Sequence, residues 1–222
     1  TISNNTIENN EEYGMRIVGS GNTIINNDLP FNPISIHISV SGNNNQITNN
    51  TADSGIYGNL EISGNNNIIT GNILKGTTYA SFGLKISGSN NSATGNQIKN
   101  NQWGISETSF EDNNIVNNTI SSNEGGIYRM NGDYIGHSNT FSSNSYDFYI
   151  EYQNGVVIKD VTSSNISIRI NAQYDNLNNV LLENNTIGSL SLHSSSDYGG
   201  TNITLIGTAN SISVDSNFEL IV

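Results

Sequence analysis

Aromatic and acidic side chains are concentrated in one stretch of the sequence, residues 126–153. An aromatic ring can stack on the apolar face of a sugar, and nearby carboxylates can accept hydrogen bonds from its hydroxyl groups. The stretch therefore predicts a carbohydrate-binding groove, with candidate contacts at Tyr128, Tyr134, Tyr146, Tyr149 and Tyr152. The alternative is that part of the aromatic set, including Phe141, Phe148 and Ile150, packs inside a core.

The same stretch contains the only residues that we consider as catalytic candidates. They are Asp133, Asp147 and Glu151, and they are weak candidates. Glycoside hydrolysis needs two carboxyl groups held at a defined separation across the bond to be cleaved. The sequence spacing does not establish such a pair, so we assign no catalytic residue and favour a role without catalysis.

A second group of charged residues emerges when the runs that end in Ile-Ser-Gly are aligned. The alignment places Arg16, Ser39, Glu61 and Lys85 in one outward column, with His37 nearby. Alternating charges on adjacent strands could form a small site. A solvated ladder of cross-strand pairs is the favoured interpretation, because such pairs are common and individually weak.

The sequence gives no support for a metal or another cofactor. His37, His137 and His193 lie far apart and lack metal-ligand spacing. The acidic residues do not cluster as in a calcium-binding loop, so Ca²⁺ is unsupported. A Gly-rich phosphate loop is also missing, because the Gly-rich corners lack its Lys.

Acceptor sequons for N-glycosylation are frequent. They lie at Asn4, Asn49, Asn90, Asn117, Asn165, Asn184 and Asn202. Four of them, at Asn4, Asn49, Asn117 and Asn184, read Asn-Asn-Thr at the same point of a repeat. If these Asn residues were glycosylated, the sugars would form a line along one edge of the fold. The alternative is that a chain rich in Asn, Ser and Thr produces sequons by chance.

These residues are positioned by an internal repeat. The phrase Asn-x-Ile-x-x-Asn-x-Ile recurs from Asn22, Asn45, Asn67, Asn91 and Asn114, in steps of 22–24 residues. Short alternating runs that end in Gly separate the copies, as in NLEISG and GLKISG. Alternation of apolar residues indicates strands, and Asn and Gly favour the corners between them. A period of this length predicts a solenoid whose stacked repeats bury a shared core.

The composition fits this fold. The chain has 222 residues, of which 42 are Asn, 31 are Ile and 11 are Leu. We predict a single all-β domain over residues 1–222, a parallel β-helix of about nine to ten rungs without evident caps. A rung is one circuit of the chain around the solenoid. Asn at matched positions can stack as an amide ladder, which explains the Asn excess without a ligand.

The rhythm of Asn-Asn-x-Ile followed by Gly-x-x-Ile-Ser-Gly resembles the right-handed β-helix repeats of the pectate-lyase-like superfamily. It is also similar to repeats of bacterial and archaeal surface proteins. The resemblance implies a right-handed solenoid, and it concerns scaffold positions only. Fold alone carries little information about activity.

Charge and hydropathy exclude two classes of partner. The chain has 7 Lys and Arg against 19 Asp and Glu, a net charge of -12, so nucleic-acid binding is not expected. No apolar run approaches the roughly 20 residues of a membrane span. The balance of features predicts an extracellular or cell-surface scaffold without catalysis, and the alternative is a module that binds or cleaves an extracellular polysaccharide.

The first residues, TISNNTIENN, match the repeat, and the last residues, NFELIV, have the pattern of a strand. One interpretation is a fragment of a longer surface protein. The other is head-to-tail self-association, which would generate a filament because such contacts do not close. The candidate interface residues are Ile2, Ile7, Phe218, Leu220, Ile221 and Val222.

Overall fold

Alternating inward Ile and outward polar residues form short strands, and each strand stacks on its equivalent in the next rung. The computed structural model describes residues 1–30, 32, 38–55, 58–76, 82–107, 112–128, 133–135, 138–151, 155–171, 179–194, 201–214 and 218–221. Strands within these ranges form three sheets, here named A, B and C. Every pairing between them is parallel, as expected when one coil stacks on the next.

Sheets A and B contain six short strands each. Sheet A is formed by β1 (Ile2–Ser3), β3 (Thr23–Ile25), β6 (Gln46–Thr48), β9 (Ile68–Thr70), β12 (Ser92–Thr94) and β15 (Asn114–Val116). Sheet B is formed by β4 (Asp28–Leu29), β7 (Thr51–Gly55), β10 (Ile73–Gly76), β13 (Gln97–Lys99), β16 (Thr119–Ser121) and β19 (Thr140–Ser142).

Sheet C is the largest, with 13 strands. Its regular part is formed by β2 (Arg16–Val18), β5 (Ile38–Ser41), β8 (Gly58–Ser63), β11 (Phe82–Ser87), β14 (Trp103–Glu107), β17 (Gly125–Tyr128) and β20 (Tyr146–Glu151). The others are β18 (Asp133–Ile135), β21 (Val156–Lys159), β22 (Thr162–Asn171), β23 (Asn179–Ser194), β24 (Thr201–Val214) and β25 (Phe218–Ile221).

The predicted parallel β-helix is confirmed, with a correction to its rung count. The solenoid has about seven rungs instead of nine to ten. Its later part is less segmented than the repeat predicts, because β22, β23 and β24 are 10, 16 and 14 residues long. Strand β23 pairs with β21 near its start and with β22 further along, so one strand follows two sides of the coil.

The core consists of columns of inward aliphatic side chains. One buried column of sheet A contains Ile24, Ile47, Ile69, Ala93 and Ile115, and one of sheet B contains Leu29, Ala52, Leu74, Ile98 and Ile120. Because a single rung leaves both of its faces open, each column becomes dry only when rungs stack on both sides.

The predicted amide ladders are confirmed. At the corner between sheets A and B, the backbone N–H and Nδ2 of each Asn donate to Oδ1 of the Asn in the next rung, at 2.8–3.1 Å. This ladder contains Asn5, Asn27, Asn50, Asn72, Asn96, Asn118 and Asn139. The corner between sheets C and A has a similar ladder through Asn22, Asn45, Asn67, Asn91 and Asn113.

A residue with positive φ precedes each ladder Asn of the corner between sheets A and B. At Asn49, for example, φ is 54°. Asn and Gly tolerate this conformation, and the sharp bend turns the next side chain into the core. The phrase Asn-Asn-x-Ile is therefore one corner followed by one strand: the first Asn bends the chain, the second enters the ladder, and the Ile enters the core.

Candidate functional site

The outer face of sheet C carries a continuous group of aromatic side chains. We call it the aromatic face, and it consists of Phe82, Trp103, Tyr128, Tyr146 and Tyr149, with Arg169 and His193 beside them. Parallel register brings these residues together, because Tyr128 pairs with Tyr149 and Tyr149 pairs with Arg169 on successive strands. His193 follows Arg169 on the next strand.

Trp103 lies against Tyr128 and Tyr149. Its ring centroid is 4.0 Å from that of Tyr128, with the planes 18° apart, and 4.9 Å from that of Tyr149. Gly125 makes this arrangement possible, because a Cβ at that position would lie 2.6 Å from the indole Cε3. The stacking covers Tyr128 and Tyr149, which are 7% and 8% exposed, while Trp103 and Tyr146 remain half-buried.

Arg169 gives the aromatic face its cation. Its guanidinium carbon lies 5.0 Å from the ring centroid of Tyr146 and 5.4 Å from that of Tyr149. In the part of the chain that the structure describes, Arg169 forms no ion pair. The two rings hold it in place through cation–π contacts. His193 packs edge-on against Tyr146 at 5.3 Å.

A polar groove of about 370 Å³ lies at the corner between sheets B and C. Its walls are formed by Asn101, Gln102, Ser122, Asn123, Glu124, Ser143 and Ser145. Three of these residues directly precede Trp103, Gly125 and Tyr146 in the sequence. Amide, hydroxyl and carboxylate groups therefore adjoin the edge of the aromatic face, the combination typical of sites that bind polar ring compounds.

Three of the predicted tyrosines, Tyr128, Tyr146 and Tyr149, belong to the aromatic face. Tyr134 does not, and its assignment as a surface contact was wrong. It is 2% exposed and packs against Phe148, and its hydroxyl accepts a hydrogen bond from Asn139 Nδ2 at 2.8 Å. Burial raises the pKa of Tyr134, and the hydrogen bond partly offsets this effect.

The alternative core assignment for the neighbouring residues is confirmed. Phe148 and Ile150 are fully buried, and Phe141 is partly buried against the same core. Strand alternation explains the division: in β20, Phe148 and Ile150 point inward while Tyr149 points outward.

Asp147 is buried beneath the aromatic face. Its Oδ1 accepts from Asn144 Nδ2 at 3.1 Å, and its Oδ2 accepts from the backbone N–H of Ser167 at 3.0 Å. Burial raises the pKa of Asp147, while the hydrogen bonds from Ser167 and Asn144 lower it. Since both oxygens bond to the framework, this carboxylate joins two rungs instead of facing a ligand.

The other weak catalytic candidates are not placed to this detail. The side chains of Asp133 and Glu151 lie outside the described residues, as does the whole of Tyr152. His37 and His137 also lie outside them. Within the described ranges, no group of three or more His, Cys, Asp or Glu side chains could hold a metal ion.

The charged column predicted from the repeat is confirmed in its register. Arg16 pairs with Ser39, Ser39 with Glu61, and Glu61 with Lys85 on adjacent strands. Lys85 Nζ lies 2.9 Å from Glu61 Oε1, and both side chains are partly exposed. Lys75 and Asp53 form a similar pair at 2.9 Å on sheet B. These contacts fit a solvated ladder, which contributes little stability per pair.

The sequon residues are exposed wherever the structure describes their side chains. These are Asn4, Asn49, Asn90, Asn117, Asn165 and Asn184. The side chain of Asn202 is not described. The four Asn-Asn-Thr sequons share one backbone conformation, with φ between 54° and 57° at Asn4, Asn49, Asn117 and Asn184. The first three directly precede ladder positions between sheets A and B, whereas Asn184 lies within β23 of sheet C and directly precedes Asn185, whose Oδ1 accepts from the N–H of Val161.

The candidate interface residues are described only in part. Ile2 and Ile7 are partly buried and pack against the core. The backbone of Phe218, Leu220 and Ile221 forms β25, but their side chains and Val222 lie outside the description. No helix long and apolar enough to cross a membrane occurs among the described residues.

Sequence reasoning missed four members of the site: Phe82, Trp103, Arg169 and His193. Phe82 and Trp103 belong to a column that continues through Gly125 to Tyr146, whereas the signal for Arg169 and His193 was present in the charged column. Continuing that column by one rung at a time leads from Lys85 through Ser106 to Tyr128, Tyr149, Arg169 and His193. Residues 126–153 are contiguous in the sequence, whereas these members join the site only through the register between rungs.

A family model described as a right-handed beta helix region matches residues 1–139. No curated protein and no solved structure matches the chain significantly. The matched segment covers more than half of the 222 residues and contains the regular rungs with their amide ladders. The right-handedness implied by the family resemblance is thereby confirmed: this chain belongs to the right-handed β-helix family.

Proposed function

We propose that this chain binds an extracellular polysaccharide through the aromatic face, without cleaving it. The observation that carries the proposal is the stack of Trp103, Tyr128 and Tyr149 beside the polar groove. Two half-buried rings, Trp103 and Tyr146, are available to stack on sugar rings. Gln102, Glu124 and Ser145 supply hydrogen-bonding groups at their edge.

The aromatic face extends along the solenoid axis, and this favours a polymer over a single sugar as the ligand. Its members follow one another from rung to rung, from Phe82 to His193, parallel to the solenoid axis. Adjacent strands are about 4.8 Å apart, so five rung steps span roughly 24 Å. This length matches a chain of several sugar units lying along the axis.

Binding without cleavage is supported by the placement of Asp147. This carboxylate is the one weak catalytic candidate whose side chain is described, and its hydrogen bonds to Asn144 and Ser167 leave it inside the fold. A retaining or inverting hydrolase needs two carboxyl groups facing the same substrate bond.

The test is binding of the purified chain to an array of neutral, acidic and sulfated oligosaccharides. A double variant, Trp103→Ala with Tyr146→Ala, should lose the signal while keeping the far-ultraviolet circular dichroism of the fold. Tyr13→Ala is the matched control, because Tyr13 is an exposed tyrosine that precedes β2 and lies outside the aromatic face. Binding that survives in the double variant would refute the proposal.

A structural scaffold of a cell-surface layer, sheath, adhesin or filament is the second candidate. It is favoured by the unbroken amide ladder from Asn5 to Asn139, which ties successive rungs into a stiff rod. Electron microscopy over a range of protein concentrations tests end-to-end association. Rods that lengthen with concentration would support end-to-end association, and particles of constant length would exclude it.

A further inference from the structure

We infer that Asn4, Asn49, Asn117 and Asn184 are N-glycosylation sites that form one row along the corner between sheets A and B and its continuation at Asn184 in β23. This goes beyond the proposed function, because it concerns modification of a different surface. All four residues begin an Asn-Asn-Thr sequence. Their side chains are exposed, and the backbone bends sharply at each of them.

The two Asn residues of each sequence have different roles. The second Asn belongs to the ladder: Asn118, for example, is buried, and its Nδ2 donates to Ala93 O and to Asn139 Oδ1. The first Asn is outside the ladder. Within the described ranges, the side-chain amides of Asn4, Asn49, Asn117 and Asn184 form no hydrogen bond, whereas the backbone N–H groups of Asn4 and Asn49 donate to the neighbouring rung.

The third residue of each sequence also reaches the surface. Thr6, Thr119 and Thr186 are exposed and Thr51 is half-buried; Thr51 and Thr119 lie on strands of sheet B, and Thr186 lies on β23 of sheet C. Both parts of the sequon, the acceptor amide and the hydroxyl two residues later, are therefore on the surface of the same corner.

The row is spaced widely enough for bulky groups. The corner column runs from rung to rung through Asn4, Asn26, Asn49, Gly71, Gly95 and Asn117, and Asn184 has the same positive φ further along the chain. Asn4 and Asn49 are two rungs apart, and Asn49 and Asn117 are three rungs apart, which corresponds to about 10 Å and about 14 Å. The intervening rungs lack a complete sequon, as at Asn26, which is followed by Asn27 and Asp28.

The position of the row is compatible with ligand binding. A three-sided coil has one corner opposite each side, and the corner between sheets A and B lies opposite sheet C. Glycans there would project away from Trp103 and the polar groove. One ridge of the solenoid would thus be covered by sugar while the aromatic face stays open.

The reaction is a group transfer from a polyprenyl-diphosphate-linked oligosaccharide. The Asn Nδ2 forms a bond to the anomeric carbon of the sugar, and the bond between that carbon and the diphosphate oxygen breaks. The diphosphate leaves with the electron pair, and the amide loses one proton to a base of the transferase. The β-helix supplies only the acceptor side chain.

The experiment is secretion of the full chain from eukaryotic cells, followed by peptide mapping by mass spectrometry. We expect glycopeptides that contain Asn4, Asn49, Asn117 and Asn184. Single variants Asn49→Gly and Asn117→Gly should each lose one glycan mass without loss of fold, because Gly71 and Gly95 occupy the same column naturally. Asn26→Gly is the matched control and should leave the glycan content unchanged.

A secreted, folded chain with all four residues unmodified would overturn the inference. Loss of glycan in the Asn26→Gly control would also overturn it, because that residue has no sequon. The result is independent of the proposed function, since glycan binding is measured on unglycosylated protein from bacteria. Failure of one proposal is therefore distinguishable from failure of the other.

Discussion

Trp103 stacks on Tyr128 of the following rung, with ring centroids 4.0 Å apart and planes 18° apart. The two residues are 25 positions apart in the sequence, and only the parallel stacking of strands brings them together. Their contact lies within the aromatic face, which continues from Tyr128 to Tyr149 and Arg169. The candidate site is thus created by the parallel stacking of rungs and not by any single segment of the sequence.

Arg169 is expected to donate hydrogen bonds to the bound sugar. Arg169→Met keeps an apolar stem over Tyr146 and Tyr149 but removes the donors, so glycan affinity should fall about tenfold. Arg169→Lys should show a smaller loss, because it keeps the charge without the planar group. Isothermal titration calorimetry with the ligand found on the array measures both.

The matched control for Arg169 is Arg16→Met. Arg16 lies over the ring of Tyr13 at 6.0 Å, a similar contact on the same sheet at a distance from the aromatic face. Affinity should be unchanged in this variant. Equal losses in the two methionine variants would show that general charge, and not the site, controls binding.

Gly125 is expected to position the indole of Trp103. In Gly125→Ala, the new Cβ would lie 2.6 Å from Cε3 of the ring, so the indole must move away from Tyr128. The near-ultraviolet circular dichroism of the aromatic side chains should change, and glycan affinity should fall. Gly155→Ala is the comparison outside the face: its φ of 75° makes Ala unfavourable for the backbone, but no heavy atom lies within 4 Å of its Cβ position, so the aromatic spectrum should not change. An unaltered aromatic spectrum in Gly125→Ala would contradict the assignment.

The amide ladder is expected to be a major source of stability. Asn96→Ala removes an Oδ1 that accepts from the N–H and Nδ2 of Asn72, and an Nδ2 that donates to Ile69 O and Asn118 Oδ1. Leaving such buried groups unpaired costs roughly 1–3 kcal/mol each. We expect urea denaturation to show a loss of at least about 3 kcal/mol in the free energy of unfolding.

Asn26→Gly is the control for the ladder, because Asn26 is exposed and its positive φ suits Gly. Its free energy of unfolding should change by less than about 1 kcal/mol. A loss in Asn96→Ala no larger than that in Asn26→Gly would show that the ladder does not hold the rungs together.

Much of the fold could be predicted from the sequence, because each rung repeats the same local sequence pattern. The corner Asn, the ladder Asn and the inward Ile recur at fixed spacing, and this regularity identifies strands, corners and parallel stacking together. The prediction was less accurate where a strand continues through a bend. The backbone bends at Asn184, with φ of 54°, but β23 continues through Asn184 and Asn185, so neither its length nor the rung count follows from the repeat.

The candidate site was predicted only in part, for a physical reason. Tyr128 and Tyr149 belong to one outward column, whereas Tyr134 points into the core, and composition alone does not distinguish the two orientations. Trp103 lies outside the Tyr-rich segment and joins it through register. Residues that meet across rungs are separated by a full period, so their association depends on where each corner falls.

Asp147 is expected to make stability depend on pH. Its pKa is raised in the folded state above the ordinary value of 3.8, so the folded chain binds the proton more tightly than the unfolded chain does. Its contribution is therefore most favourable below pH 3.8 and decreases as pH rises through the folded pKa. Asp147→Asn removes this titration, so the difference in unfolding free energy between wild type and variant should change across that window.

Denaturation of both proteins at a series of pH values measures this difference. Asp28→Asn is the control, since Asp28 is exposed on sheet B. A difference between wild type and Asp147→Asn that stays constant with pH would contradict the raised pKa.

The most direct test of the central claim uses Trp103, the single tryptophan of the chain. Its fluorescence reports on the aromatic face alone. Titration with the oligosaccharides of the array should give a saturable change in intensity or wavelength for those that bind, with longer oligomers binding more tightly. Oligosaccharides that bind the protein without any change in Trp103 fluorescence would place the ligand elsewhere and contradict the account.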